Sequence, residues 1–192
     1  MIEVNNILDQ RSSIADCLIT KERCKSLWIY TADCIPILIA DLETGNISAC
    51  HVGLRGLKKY IISKTLKRLE KIGSKKSNLI IALGPSIQCN KYQLSIRDVD
   101  DLLIKLAGEV CMKRNYYYID FRKGIIPLFK KKKESDRLHI DIQDVAVLQL
   151  YKEGIKQSQI NLNRLCTYSN PKIFNSYRRN NTKLRQWSCI YS

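Results

Sequence analysis

Short apolar runs follow one another closely in the first third of the chain. Leu27 to Tyr30 and Ile35 to Ala40 predict two strands, because they are brief, rich in β-branched or aromatic residues and bounded by polar positions. Leu42-Glu43-Thr44-Gly45 predicts a turn, and Asn46 to His51 predicts a third strand after it. The pattern therefore indicates an antiparallel hairpin.

Three later stretches have apolar residues at helical spacing. The first follows Gly53 and Gly56, can be ended by Gly73, and has its apolar positions at Leu57, Ile61, Leu66, Leu69 and Ile72. The second is marked by Val99, Leu102, Leu103, Leu106 and Val110. The third begins at a candidate N-cap, ends at Gly154, and is marked by Asp141, Val145, Leu148 and Tyr151.

Further strands are predicted at Leu79 to Leu83, Tyr116 to Phe121, Ile155 to Leu162 and Gln186 to Tyr191. Helices interleaved with strands, some joined by a hairpin, predict an α/β (α+β) fold of mixed β-sheets flanked by helices. No repeat or linker divides the 192 residues. We therefore expect a single domain over residues 1–192.

The chain is strongly basic. Its 33 Lys and Arg residues exceed its 18 Asp and Glu residues and give a net charge of +15. This charge favours anionic ligands such as phosphate, nucleotides or nucleic acid. A biased composition rich in Lys, Ile and Asn explains it equally, with the basic residues of the first helix forming a solvated face. We adopt this second explanation and expect no nucleic acid partner.

Nothing in the sequence predicts export or a membrane span. No signal peptide precedes Cys17, and the longest wholly apolar run, Ile35 to Ala40, is far shorter than the ~18 residues of a span. The eight cysteines contain no C-x-x-C pair, so we expect no disulfides and no zinc knuckle, and we expect most of these cysteines to be buried. We predict a cytoplasmic monomer.

The predicted hairpin brings a cysteine and a histidine together. If the turn pairs Asp41 with Asn46, paired residues sum to 87, and His51 lies opposite Pro36 while Cys34 lies opposite Gly53. Cys34 and His51 are then diagonal neighbours on one face, within ~7–8 Å. Three interpretations stay open: a zinc site, a thiolate nucleophile held by histidine, and a buried cysteine beside a hydrogen-bonded histidine.

Several motifs resemble those of the YfiH-like family, also called the laccase-domain or polyphenol oxidase family. Thr31-Ala32-Asp33-Cys34 before Ile35-Pro36 is similar to its TADC-x-P element, and His51-Val52-Gly53-Leu54-Arg55-Gly56 to its H-x-G-W-R-G element, with Leu54 in place of tryptophan. Further similar elements follow in family order at Ala15-Asp16, Gly84-Pro85-Ser86-Ile87 with Tyr92, Asp141, Cys166-Thr167 and Ser176-Tyr177-Arg178-Arg179. Leu184-Arg185 stands where a Gly-Arg is common.

The resemblance implies a YfiH-like sandwich with a zinc bound by two histidines and one cysteine, of which Cys34 and His51 are present here. The first histidine belongs to a V-H-G element, and residues 1–14 contain no histidine. The alignment predicts that ligand just upstream of Met1. We expect the reading frame to begin upstream, since Ile2-Glu3-Val4 resembles the continuation of a strand; a shortened, metal-poor paralogue is the alternative.

The family is regarded as purine nucleoside phosphorylases, so the resemblance implies attack of phosphate on the ribose of adenosine, inosine, guanosine or methylthioadenosine. It also implies a possible adenosine deaminase activity. Arg55 is the candidate for binding phosphate or stabilising charge, or else forms a structural ion pair. Arg178 and Arg179 are candidate substrate-binding residues; we expect one to approach the site and the other to pair with an acid such as Asp141.

Multicopper oxidase chemistry requires many imidazole ligands, which two histidines cannot supply. Copper would occupy the Cys/His site only adventitiously. Two other functions remain as alternatives. One is a Cys34/His51 thiol hydrolase resembling a deamidase, whose activity would survive chelators. The other is an inactive truncated paralogue or basic nucleic-acid-binding module.

Overall fold

The computed structural model describes residues 2–3, 15–95, 97–98, 102, 110–113, 116–121, 124–131 and 137–192. The strands are β1 (Ile2–Glu3), β2 (Cys17–Thr20), β3 (Ser26–Thr31), β4 (Ile35–Asp41), β5 (Ile47–Val52), β6 (Leu79–Leu83), β7 (Gln93–Ser95), β8 (Val110–Lys113), β9 (Tyr116–Phe121), β10 (Gly124–Lys131), β11 (Arg137–Ile140), β12 (Ile160–Leu162) and β13 (Gln186–Tyr191). The helices are α1 (Leu54–Lys58), α2 (Ile61–Lys71), α3 (Ile142–Lys152) and α4 (Tyr177–Asn180).

A six-stranded sheet of order β1-β2-β5-β4-β6-β12 forms the centre of the fold. The hairpin β4–β5 pairs Ile35 with Val52 and Pro36 with His51, so the predicted register is confirmed. Asp41 holds the turn, because its Oδ1 accepts hydrogen bonds from the backbone N–H groups of Glu43 and Thr44. The register of this hairpin decides which side chains reach the candidate site.

The two faces of the central sheet are covered differently. Its first face packs Ile35, Ile37 and Ile39 of β4 into the main core, which also contains buried residues of α1, α2 and α3. Its second face carries Leu38 and Ala40, which pack against a ribbon formed by β3 and β13. This alternation places every second residue of β4 beneath the ribbon.

The first predicted helix is two helices. Leu57, Ile61, Leu66 and Leu69 are buried as the pattern predicts, but Tyr60 has a left-handed backbone (φ 54°) that separates α1 from α2. No glycine stands there to indicate the break. The exposed face of α2 carries Lys64, Lys67 and Lys71, as expected for a solvated basic face.

The third predicted helix is confirmed as α3. The Asp141 carboxylate caps it by accepting hydrogen bonds from the N–H groups of Gln143 and Asp144. Gly154, with φ 86°, follows its end. Because α3 buries most of its side chains, its helical pattern is less amphipathic than that of α2.

A second sheet, of order β7-β11-β10-β9-β8, includes the strand predicted at Tyr116 to Phe121. Val110 was expected to end the second helix, but it pairs with Ile119 at the start of β8; its β-branched side chain suits a strand. Val99, Leu103 and Leu106 of that helix lie outside the described residues. The strand predicted at Ile155 to Leu162 is limited to β12, because a 3₁₀ turn occupies Gln157–Gln159.

The described helices are short. The two longest, α2 and α3, have 11 residues each. No helix in the described part of the chain is both long and apolar enough to cross a lipid bilayer.

Candidate active site

Cys34 ends a sharp turn between β3 and β4. Asp33, which precedes it, has φ 88° and is buried. The Asp33 carboxylate accepts hydrogen bonds from the Thr167 hydroxyl and from the backbone N–H of Arg178, both at 2.7 Å. Its carbonyl accepts a third from the N–H of Ile87 at 2.9 Å. These bonds to distant segments hold a sparsely populated backbone conformation and so fix the position of Cys34.

Gly53 leaves the space that the Cys34 thiol occupies. A Cβ added at Gly53 would lie 2.7 Å from Cys34 Sγ, closer than atoms of this kind approach. The backbone of Gly53 itself is extended (φ −105°, ψ −176°) and would accept any residue. The glycine is therefore required by the neighbouring sulfur and not by its own conformation.

His51 is oriented by Asp16, the residue that immediately precedes β2. His51 Nδ1 lies 3.0 Å from Asp16 Oδ1, and the His51 backbone N–H donates to the Asp16 carbonyl at 2.7 Å. An Nδ1–H donor to the carboxylate leaves Nε2 as the nitrogen with a free lone pair. A carboxylate behind an imidazole in this way is the usual support of a metal-binding histidine.

Cys34 and His51 border one pocket of about 450 Å³ between the central sheet and β3. The prediction that they lie on one face of the sheet is therefore confirmed. The described lining residues are Ala15, Asp16, Leu18, Trp28, Ile29, Tyr30, Thr31, Ala32, Cys34, His51, Tyr177 and Arg185. The pocket thus combines a thiol, an imidazole, a carboxylate, a guanidinium and aromatic rings.

The Cys34 thiol is held in its neutral form. Burial, together with the negative charges of Asp33 and Asp16, raises its pKa to about 11, although the Arg185 guanidinium acts in the opposite direction. A thiol with this pKa contains little thiolate at neutral pH. This disfavours the thiol-hydrolase alternative, which requires a thiolate nucleophile in the resting protein.

The three arginines predicted at the site lie in different places. Arg55 is exposed on α1 and is not among the described lining residues of the pocket. Arg178 stacks over the Tyr92 ring at 5.0 Å and donates from Nη1 to the Gln93 carbonyl. The roles predicted for Arg55 and Arg178 stay predictions.

The Arg179 guanidinium binds backbone carbonyls and not an acidic side chain. It donates to the carbonyls of Thr167, Tyr168 and Phe174 at 2.7–2.9 Å. Asp141, expected as the partner of one of these arginines, instead lies 3.6 Å from Arg164. The predicted pair between Asp141 and Arg178 or Arg179 does not form, because Arg164, on the loop after β12, lies beside Asp141 at the start of α3.

The second histidine lies elsewhere. His139 Nδ1 is 2.8 Å from the carbonyl of Cys89, and its Nε2 is 2.9 Å from Gln93 Nε2. Both ring nitrogens are therefore engaged outside the pocket, as expected for a histidine that does not substitute for a missing ligand. Burial, and then the negative charge that Cys34 carries once its thiol has ionised, raise the pKa of Tyr92 to about 12, so the Tyr92 hydroxyl stays protonated at neutral pH.

Sequence reasoning missed several pocket residues. It gave no role to Asp16 or Arg185, although both stand in motifs that it quoted, and it did not place Trp28, Tyr30 or Tyr177 in the pocket. The alternation of β3 was the available signal, since Trp28 and Tyr30 are apolar on the face that does not enter the core. About half of each of their side chains is exposed.

The cysteines are less buried than expected. Of the seven whose side chains are described, only Cys17, Cys50 and Cys166 are buried, and none of the seven forms a disulfide. The absence of disulfides among these seven agrees with the sequence expectation.

The donors present suit a soft or borderline metal such as zinc, which takes thiolate sulfur and imidazole nitrogen. Within the described part of the chain, no three His, Cys, Asp or Glu side chains converge to hold a metal ion. Cys34 and His51 thus provide two donors of the right chemistry, and a complete site needs at least one more ligand.

Solved structures confirm the fold. The chain superposes on YlmD from Geobacillus stearothermophilus with a TM-score of 0.77 and 26% identity, covering 92% of this chain and 60% of that one. YfiH from Bacillus licheniformis has the same fold, with a TM-score of 0.72 at 22% identity over 91% of this chain and 60% of that one.

Two relatives in sequence cover most of this chain. A purine nucleoside phosphorylase of Synechocystis sp. is 33% identical over 184 residues, covering 93% of this chain and 68% of the relative. One of Bacteroides thetaiotaomicron is 33% identical over 165 residues, covering 85% of this chain and 55% of the relative. The chain thus spans between about half and two thirds of the length of these proteins.

The family model described as multi-copper polyphenol oxidoreductase laccase matches residues 1–192, the whole chain. Together with the shared fold and the two relatives, this match assigns the family. The chain belongs to the multi-copper polyphenol oxidoreductase laccase family.

Proposed function

We propose that this chain forms the active site of a zinc-dependent purine nucleoside phosphorylase. The observation that carries the proposal is the pairing of Cys34 and His51 at one pocket, with Asp16 oriented behind the imidazole. The relatives from Synechocystis sp. and Bacteroides thetaiotaomicron, both named purine nucleoside phosphorylase, support the reaction class.

Zinc would be held by Cys34 Sγ and His51 Nε2. It would supply a Lewis acid that polarises an oxygen of phosphate, water or ribose. Because the pKa of the Cys34 thiol is about 11 without a metal, metal binding must displace its proton, and zinc affinity should rise with pH.

The third ligand is proposed to come from residues that precede β1. Strand β1 pairs with β2 in parallel, with Ile2 opposite Leu18 and Glu3 opposite Ile19. Extending this register towards lower numbers places the two positions before Met1 opposite Asp16 and Ala15, both of which border the pocket. A histidine contributed there would lie beside the two donors already present.

The chain's own residues would bind and orient the reactants. In phosphorolysis a phosphate oxygen forms a bond to ribose C1′ while the bond from C1′ to the purine nitrogen breaks, and the purine leaves with a proton. The rings of Trp28, Tyr30 and Tyr177 offer faces on which a purine can stack. The turn at Asp33 keeps Cys34 in place during this process.

Phosphate-dependent release of base tests the proposal. Adenosine and inosine are incubated with the zinc-loaded chain carrying a Val-His-Gly extension before Met1, with and without phosphate, and the products are separated chromatographically. We expect adenine and hypoxanthine to appear only with phosphate, and His51→Ala and Cys34→Ser to abolish their release. Cys24→Ser is the matched control, because Cys24 is exposed and outside the pocket.

Inosine formed from adenosine would indicate deamination instead. Release of base that is independent of phosphate, or that survives both pocket substitutions, would refute the phosphorylase proposal.

A zinc titration separates metal binding from turnover. The chain is extended with Val-His-Gly before Met1 and compared with a Val-Gln-Gly extension of equal length. We expect the histidine extension alone to bind one zinc per chain tightly, and His51→Ala to remove that binding. Equal zinc affinity of the two extensions would refute a ligand at that position.

We place this activity in the cytoplasm, where purine nucleosides and phosphate are present together. The seven described cysteines form no disulfide, which suits a reducing compartment. The monomeric state remains part of the proposal and is measured by sedimentation.

A further inference from the structure

Arg185 is the one cationic side chain among the described residues that line the pocket. It extends from the segment just before β13. Its guanidinium lies 5.9 Å from the centre of the Tyr177 ring. A guanidinium stacked on an aromatic ring is held in one plane, which lowers the entropic cost of using it as a binding group.

Two backbone carbonyls fix the same guanidinium from one side. Nη1 donates to the carbonyl of Thr182 at 2.7 Å and to that of Leu184 at 2.8 Å. These two bonds use both hydrogens of Nη1. Nε and Nη2 make no hydrogen bond to any residue that the structure describes, so three of the five donors remain.

The donors that remain form one edge of the guanidinium. Nε–H and Nη2–H point in nearly parallel directions, and this edge matches two oxygens of a phosphate or carboxylate. Asp16 also borders the pocket, but its Oδ1 is 3.0 Å from His51 Nδ1 and serves the imidazole. The Arg185 edge is therefore available to an anion that enters from solution.

The other arginines considered for this task are less suited to it. Arg179 uses its guanidinium in three bonds to backbone carbonyls. Arg178 is stacked on Tyr92 and bound to the Gln93 carbonyl. Arg55 is exposed on α1, outside the described lining of the pocket.

We propose that Arg185 binds the phosphate co-substrate in this pocket through its Nε and Nη2 donors, with Thr182, Leu184 and Tyr177 holding the guanidinium in place. This inference rests on the proposed phosphorylase function for the identity of the anion. The proposal predicts that phosphate binds between Arg185 and the Cys34–His51 pair, so that the rings of Trp28 and Tyr30 remain for the purine.

Direct binding of inorganic phosphate provides the first test, because it does not depend on turnover. Isothermal titration with phosphate is carried out on the zinc-loaded histidine-extended chain, and the form with Arg185 is compared with Arg185→Gln and Arg185→Lys. We expect Arg185→Gln to weaken phosphate binding by about 10- to 100-fold, the range for losing a charge-assisted bidentate contact. Arg185→Lys keeps the charge but not the two parallel donors, so we expect an intermediate loss.

Lys183→Gln is the matched control. Lys183 is exposed, lies two residues from Arg185, and is not among the described lining residues. It removes the same charge from the same segment, so we expect phosphate affinity within about twofold of the unsubstituted protein at 0.15 M salt, where surface charges are screened. An equal loss in Lys183→Gln and Arg185→Gln would assign the effect to general charge and overturn the proposal.

Steady-state kinetics gives the second test. If base release occurs, we expect Arg185→Gln to raise the KM for phosphate about 10- to 100-fold, with a smaller change in the KM for inosine. An unchanged KM for phosphate in Arg185→Gln would overturn the proposal. If the KM for phosphate rises in Arg55→Gln instead, Arg55 is the residue that binds phosphate.

The two proposals fail in different ways. Phosphate binding that depends on Arg185 without any release of base supports the anion site and refutes the phosphorylase. Release of base with phosphate affinity unaffected at Arg185 supports the phosphorylase and refutes the anion site. If Arg185→Gln unfolds, the phosphate titration of Arg185→Lys tests the proposal instead. A thermal unfolding curve first shows that Arg185→Lys is folded, and an unchanged phosphate affinity in this variant would then overturn the proposal.

Discussion

Gly53→Ala tests whether the Cys34 thiol occupies the place that the fold gives it. The added Cβ would lie 2.7 Å from Cys34 Sγ, and the next atom in its surroundings, Cys34 Cβ, would be 3.7 Å away. The first distance is a clash and the second is an ordinary contact. The whole steric cost of the substitution therefore comes from one sulfur atom.

The expected magnitude has two parts. Overpacking a site of this kind costs about 1–3 kcal/mol. Gly53 is also the N-cap of α1, where glycine is preferred over alanine, which adds about 0.5–1 kcal/mol. We expect Gly53→Ala to lower the free energy of unfolding by about 1.5–4 kcal/mol in total.

A double-mutant cycle with Cys34→Ala separates these parts. Removing the sulfur removes the clash but leaves the N-cap contribution, so Gly53→Ala should cost only about 0.5–1 kcal/mol in the Cys34→Ala background. Free energies come from urea unfolding of the metal-free proteins, followed by circular dichroism, with m-values checked for constancy.

Gly56→Ala is the control for the cycle. A Cβ at Gly56 would meet Ile61 Cγ2 at 3.2 Å, and its three nearest neighbouring atoms belong to Ile61 and His51 and not to Cys34. Its effect should be additive with Cys34→Ala to within about 0.5 kcal/mol. If Gly53→Ala is additive with Cys34→Ala as well, the thiol does not lie against Gly53, and the argument for a thiol directed into the pocket fails.

Three further predictions concern Asp16, Asp141 and Cys34. Asp16→Asn should weaken zinc binding of the histidine-extended chain by about 10- to 100-fold, since the carboxylate that supports His51 is lost; an unchanged zinc titration would show that Asp16 is not a support. Asp141→Ala should lower the free energy of unfolding by about 1–2 kcal/mol, while Asp141→Asn costs less, because Asp141 caps α3 through two hydrogen bonds; equal urea midpoints for both would contradict the cap. In the metal-free protein the pKa of Cys34 is raised from 9.0 to about 11, so stability due to its neutral thiol is complete below pH 9 and is lost as pH rises from 9 to 11. Alkylation followed by mass spectrometry should accordingly find Cys34 less reactive than exposed Cys24 at pH 8, and faster labelling of Cys34 would refute the raised pKa.

The hairpin could be predicted because its information is local. The turn residues and the alternation along β4 and β5 lie within about twenty positions of one another, and together they fix the register that pairs Pro36 with His51. The cap at Asp141 is local in the same sense, since it depends on N–H groups two and three residues away. This register places Cys34 and His51 on one face, and the hydrogen bonds of Asp33 to distant segments then fix the turn that carries Cys34.

The rest of the pocket depends on contacts between distant parts of the chain. Arg185 is positioned by β13 pairing with β3, and Asp16 by β2 pairing with β5. Neither pairing is fixed by a turn, because long segments separate the strands. The left-handed residue Tyr60 was missed for a different reason: no glycine or asparagine stands at that position to indicate it.

The position of the active site depends on the turn at Asp41 as much as on Cys34 and His51 themselves. Alternate residues of β4 face opposite layers, with Ile35, Ile37 and Ile39 in the helix-covered core and Leu38 beneath the ribbon. A shift of one residue in the β4–β5 register would exchange these faces and bring apolar isoleucines beneath the ribbon. The buried isoleucines oppose such a shift, because each would lose the free energy of its burial in the main core, about 1.5–3 kcal/mol for each side chain. The core therefore selects the register, the Asp41 turn makes it reachable, and the meeting of thiol and imidazole at the pocket follows from both.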